Sequence, residues 1–177
     1  MNRIVIGLKR LNDWVAVVAG IALLGGVALI CAEILFRAFS VPFSGSEEIS
    51  GYLMASITSW GVSYGLLNLA HIRIDILRKK SSERIRSLLD LVSIAAVSFV
   101  SIYIAMKAIT VVEKSMNSGA LSNTALEIPL IIPQTIWFAG WVWFAISATT
   151  LFIAGVYLFF TQRTKEIDNS IGVRSEA

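Results

Sequence analysis

The sequence predicts an all-α integral membrane protein of four transmembrane helices with both termini on the same side. Three observations carry that prediction. The 177-residue chain is 56% hydrophobic and only 15% charged, against about 45–50% apolar and about a quarter charged in soluble domains. Its apolar windows reach the ~18–20 residues needed to cross a bilayer. Its Lys and Arg residues alternate between dense and sparse connections, as expected where cytoplasmic loops hold the basic excess.

The first span is expected over residues 14–36, after a short basic amphipathic lead with Arg3, Lys9 and Arg10. That run exceeds the 7–15-residue core of a secretory signal, and the small-x-small cleavage pattern does not follow it. It therefore reads as a retained span. The second runs over 49–70. It opens on Ser46-Glu47-Glu48 and closes on His71-Ile72-Arg73-Ile74-Asp75. Charges at a helix centre cost roughly 2.5–3.5 kcal/mol each, so these groups mark where hydrocarbon stops. The third span is placed at 88–112 and the fourth at 131–160. Ser81-Ser82-Glu83 has the hydroxyl and carboxylate of a helix start, predicting a short interfacial helix between spans two and three. Pro129 and Pro133 frame the entry to span four, where a missing N–H costs nothing. The whole chain, 1–177, reads as one membrane domain.

Orientation follows from charge. Arg3, Lys9 and Arg10 precede span one. Arg73, Arg78, Lys79, Lys80, Arg84 and Arg86 lie between spans two and three, and Arg163, Lys165 and Arg174 follow span four. The opposite side holds only Arg37 and Lys114. Both termini and the middle loop are expected in the cytoplasm. The net charge of +3 then reflects topology, with anionic lipid headgroups as the partner and no role for nucleic acid. One His and one Cys argue against a protein-built zinc or bis-His haem site, so no cofactor is expected in this chain.

Each chemistry-bearing residue has a bland reading beside a functional one. Glu33 is an intramembrane carboxylate and hence a candidate proton relay. It also stands four residues before Arg37, an ion-pair spacing on a helix, and Lys107 lies at similar depth in span three. Glu47 and Glu48 point about 100° apart on a helix, so one can favour the helix N-terminus while the other meets a partner. His71 and Asp75 are spaced i, i+4, but no nucleophile accompanies them, which leaves them as an interfacial anchor. Gly61-x-x-x-Gly65 and Ala22-x-x-x-Gly26 offer small-residue grooves for close helix approach. Trp14, Trp137, Trp141 and Trp143 fit interfacial aromatic belts. Trp60 lies deeper, where packing against protein is expected.

Taken in order, Arg37, Glu47-Glu48, the small stretch from Gly61 to Asn68, His71 to Asp75 and Ile128-Pro129 to Ile132-Pro133 resemble the small membrane subunit of a TRAP (tripartite ATP-independent periplasmic) transporter. One departure is Gly45-Ser46, where members of the family often carry an aromatic residue. The resemblance implies a non-enzymatic subunit of the bacterial inner membrane. Its partners would be a large membrane subunit, holding the sodium and substrate sites, and a periplasmic binding protein. Uptake of a small organic anion would be sodium-driven. The small subunit would brace the stationary scaffold and help dock the binding protein. Arg37, Glu47, Glu48, Gly61, Gly65, His71, Arg73 and Asp75 would form partner interfaces. Apart from the resemblance, the depths of Glu33 and Lys107 allow intramembrane charge pairing between them, or Lys107 snorkels to the interface. The alternative is an autonomous four-helix proton-coupled exporter working through Glu33.

Overall fold

The computed structural model describes residues 2–40, 45–68, 83–124 and 126–161. Four helices account for nearly all of them: α1 (Asn2–Ala38), α2 (Ser46–Leu67), α3 (Glu83–Ser118) and α4 (Ile131–Phe160). At 1.5 Å per residue, the 37 residues of α1 extend about 55 Å, well beyond the ~30 Å of a hydrocarbon core. The expected amphipathic lead is thus no separate element, because it continues into the first span as one helix. α2 stops at Leu67, where the backbone N–H of Asn68 closes the last turn on Leu66 and Tyr64. α3 begins at Glu83, as the Ser-Ser-Glu start predicts, but runs unbroken to Ser118. The separate interfacial helix expected from Ser81-Ser82-Glu83 onward is therefore corrected: Ile85, Leu88 and Leu89 belong to the first turns of α3, whose backbone hydrogen bonding continues without a break into the third span; residues 69–82 lie outside the described residues. α4 has the expected bounds, with Pro133 in its first turn.

Three of the helices are long and apolar enough to cross a membrane: Ile6–Ala38, Ile85–Ser118 and Ile131–Phe160. α2 is not among them. Its 22 residues suffice in length, but Ser, Gly, Thr, Tyr and Trp dilute its hydropathy.

In space the helices form an open row, α1–α2–α4–α3, with only a light contact between α1 and α4. α1 and α3 do not meet. The sequence encodes each seam by a repeat of 3.5 residues, the period that keeps one stripe of a helix facing its neighbour. On α1 the covered positions are Leu8, Asn12, Val15, Ala19, Ala22, Gly26, Leu29 and Glu33. On α3 a stripe of the same period runs through Ser87, Leu91, Ile94, Ser98, Ser101, Ala105, Ala108, Val112 and Ser115, with Asp90 also buried beside it. Small residues dominate the α3 stripe and occupy the middle of the α1 stripe at Ala19, Ala22 and Gly26, as van der Waals packing between membrane helices favours. The densest core gathers Leu66 and Leu67 of α2, Ile94 of α3, and Phe144, Ala148 and Leu151 of α4.

α2 and α4 approach closely at Gly140. A Cβ added to Gly140 would lie 2.9 Å from the Ser59 backbone carbonyl carbon, a separation that side chains do not reach without displacing backbone. Gly26 brings α1 near α2 less severely, with Leu53 Cδ1 3.1 Å from where its Cβ would be. By contrast, a Cβ on Gly61 or Gly65 would meet nothing within 4 Å. Of the two small-residue grooves in the sequence, the one at Gly26 packs within the chain and the Gly61–Gly65 one is left open.

Candidate functional site

The end of the row that carries the α1–α2 connection is held by two carboxylates. Glu33 is buried, and its Oε1 accepts from the Arg37 guanidinium at 2.7 Å. The Ser46 hydroxyl donates to its other oxygen, which ties α1 to the first residue of α2. The Glu33–Arg37 spacing thus forms the pair it predicted. Lys107 does not join it, a correction with a simple cause. α1 and α3 make no contact, and the exposed Lys107 ammonium sits 5.6 Å from the Tyr103 ring centroid instead.

Glu48 performs the second tie. Its carboxylate accepts from the Tyr52 hydroxyl at 2.7 Å and from the Thr124 hydroxyl of the α3–α4 loop. The Ser122 and Thr124 hydroxyls, and more weakly that of Tyr52, hold the Glu48 carboxyl below its ordinary range, against the opposing effect of desolvation. The loop is shaped to present those hydroxyls. Ser122 N–H donates to Ile128 at 2.9 Å and Leu130 N–H to Ala120 at 3.0 Å, pinching it closed around the Leu121–Pro129 bridge. Gly45, at φ 114°, lies under this loop, and a Cβ there would come 2.8 Å from Leu126 Cγ. Positive φ and close approach both call for glycine. Here the structure explains the Gly45-Ser46 departure: this pair fits beneath Leu126 and caps Glu33.

Glu47 differs from its neighbour. It is exposed, and its side chain has no partner among the described residues. It shares a face of α2 with Gly51, Met54, Thr58, Gly61 and Gly65, spaced four, three, four, three and four residues apart. Glu47, Gly51, Met54 and Thr58 of that face are exposed, and Gly61 and Gly65 are half-buried with room for a Cβ at each. Arg37 is mostly exposed beyond its pair with Glu33. His71, Arg73 and Asp75 lie outside the described residues.

Toward the other end of the row stands a node that sequence reasoning missed. Asn12 is fully buried. Its Oδ1 accepts from Ser63 Oγ of α2 at 2.7 Å and from Trp143 Nε1 of α4 at 3.2 Å. Its Nδ2 donates to the Leu8 carbonyl at 3.0 Å. One side chain so links three helices. Trp143 and Trp141 consequently depart from the expected aromatic belt. Trp143 reaches inward to Asn12, and Trp141 packs edge-on against Phe144 at 6.1 Å beside the core. Trp60 meets protein as predicted, donating to the Ile136 carbonyl at 3.1 Å.

These groups tie helices and a loop to one another. Comparison with protein families gives a match over residues 26–162 to the DctQ component of tripartite ATP-independent periplasmic transporters. The chain belongs to this family. Comparison with curated proteins and with solved structures gives no match. As a DctQ component the chain is the small membrane part of a TRAP transporter. The matched segment contains both carboxylate ties, the Gly61–Gly65 face and the close approach at Gly140. Asn12 lies before it.

Proposed function

We propose that this DctQ component is the stationary brace of a sodium-driven, binding-protein-dependent transporter that takes up a small organic anion. It crosses the inner membrane four times with both termini in the cytoplasm. α2 is the fourth span: past the carboxylates that mark its boundary, the 19 residues from Ile49 to Leu67 reach about 28 Å, close to a ~30 Å core. One observation carries the reading. The free face of α2 bears Gly51, Thr58, Gly61 and Gly65, small and partly polar groups suited to another protein helix and not to lipid tails.

In this reading the large membrane subunit covers that face. Glu47, at its outer end, meets either that subunit or the periplasmic binding protein, with Arg37 nearby. Glu33 and Glu48 act within the chain, fixing the outer ends of α1, α2 and the α3–α4 loop so that the frame does not yield as the carrier moves. His71, Arg73 and Asp75 anchor the inner end. Sodium and solute sites belong to the large subunit. The exporter reading loses its support, because both Glu33 oxygens are engaged by Arg37 and Ser46.

Copurification tests the brace. A Gly61→Leu/Gly65→Leu double variant should still fold in detergent but fail to retain the large subunit, and uptake should be lost with it. Retention of the complex by this variant would remove the assigned interface. Solute movement by the purified chain alone in vesicles would overturn the brace itself.

A further inference from the structure

α3 closes one end of the row, and among the described helices it touches only α4. On its free side stands Lys107, within a segment apolar enough to cross a membrane. The nearer water boundary is marked by Glu113 and Lys114, and Lys114 stands about 10 Å further along the helix. A lysine near a membrane surface ordinarily bends its stem toward the headgroups. Lys107 does the opposite. Side chains on a helix lean toward its N-terminus, and the ammonium sits 5.6 Å from the ring centroid of Tyr103, one turn further from that boundary. The cation is thus aimed toward mid-membrane and away from the headgroup phosphates.

No carboxylate among the described residues answers it. α4 carries neither Asp nor Glu. Glu113, the nearest acid on α3, lies about 120° round the helix from Lys107. Glu33 already accepts from Arg37 and Ser46, and α1 does not meet α3. A ring face is a weak counter-charge, whereas cations within spans characteristically face protein and pair with an acid. Lys107 instead faces outward beside the exposed Phe99, Tyr103 and Met106. The complementary charge therefore has to come from another chain.

We infer that the Tyr103–Lys107 face of α3 docks a transmembrane helix of the large membrane subunit that bears an Asp or Glu within hydrocarbon. That carboxylate accepts from the Lys107 ammonium and the Tyr103 hydroxyl. A second copy of this chain does not match. Both copies of a parallel membrane dimer keep their depths, so Glu113 lies about 9 Å too shallow, and Glu33 is engaged. The inference rests on the association with a large subunit proposed above, but on a different helix, since α3 does not touch α2. An ion pair in hydrocarbon does not slide, so this contact sets the depth at which the brace is held.

The test uses the full chain in complex with the large subunit in nanodiscs, treated with a membrane-soluble carbodiimide, which joins a lysine amine to a touching carboxylate as an amide. Mass spectrometry should find Lys107 joined to an Asp or Glu in a membrane span of the large subunit. Lys107→Arg keeps the charge but does not form the amide, so it should lose the cross-link and retain the large subunit. Lys107→Met should leave the unfolding midpoint of the isolated chain unchanged or higher, and lower retention of the large subunit roughly tenfold. Absence of the cross-link, or full retention by Lys107→Met, would overturn the pair. A cross-link to a second copy would give this face to a dimer and overturn it too. So would phosphatidylglycerol that copurifies with the isolated chain and is lost from Lys107→Met, because the counter-charge would then be a lipid phosphate. A wild-type complex that forms without the cross-link removes this inference alone. A wild-type chain that fails to hold the large subunit removes the brace reading as well.

Discussion

Asn12 and Ser63 meet at 2.7 Å, both fully buried between α1 and α2, and Trp143 completes the contact from α4. A buried amide in such a place has few alternative partners. Interhelical hydrogen bonds in membranes average about 0.6 kcal/mol each, with values to ~1.7. Asn12→Leu should therefore destabilise the chain by about 1–2 kcal/mol, read as a shift in its unfolding midpoint in mixed micelles. Asn12→Asp keeps the acceptor and should recover part of that loss. An unchanged midpoint for Asn12→Leu would show that the node contributes nothing.

Gly140 and Gly61 should respond in opposite ways to the same substitution. At Gly140 an added methyl meets the Ser59 backbone, and overpacking of this kind costs about 1–3 kcal/mol. At Gly61 a Cβ meets nothing within the chain, and replacing a mid-helix glycine by alanine gains about 0.5–1 kcal/mol. Gly140→Ala should lower the thermal midpoint of the isolated chain, while Gly61→Ala should hold or raise it. Equal losses at both sites would contradict the open face on α2.

Much of this was legible in the sequence, and the misses have physical causes. The helix starts at Ser46 and Ile131 follow from carboxylates and prolines acting on free N–H groups within a few residues. Glu33–Arg37 follows from helical spacing. Asn12 escaped because it sits beside Asp13 and Lys9, where polarity suggests a solvated lead. Its 3.5-residue register with Leu8, Val15 and Ala19 was the available signal. Lys107 was placed by depth alone, and depth does not say which helices are neighbours. The two small-residue grooves look alike in sequence, because such spacing permits a close approach without naming the partner.

The Glu48 tie has a definite pH dependence. Its folded-state pKa lies below the ordinary carboxylate value of 4.5, so folding favours the ionised form. The contribution is fully present above about pH 4.5 and is lost as pH falls through the depressed folded value. Stability of the α2 start against the α3–α4 loop should therefore decline below about pH 4.5, read by protease access at residues 119–130. Glu48→Gln should remove that acid-dependent step. A step of the same size in the Gln variant would place its origin elsewhere.

Glu47 and Glu48 give the sharpest separation of brace from docking surface, because adjacent carboxylates face different surroundings. Glu48 accepts two hydroxyls within the chain, so reversing its charge sets a cation against a loop built to donate. Glu48→Lys should lower the stability of the purified chain and reduce its yield in the complex. Glu47 is exposed without an internal partner, and surface substitutions of that kind usually stay within about 0.5 kcal/mol. Glu47→Lys should leave the midpoint of the isolated chain unchanged while impairing uptake in the reconstituted transporter. If the lost contact is with the binding protein, copurification with the large subunit persists and raising the binding-protein concentration partly restores uptake. If it is with the large subunit, copurification fails as well. Normal uptake by Glu47→Lys would leave Glu47 as a solvated helix-start charge and move the outer docking surface to other residues.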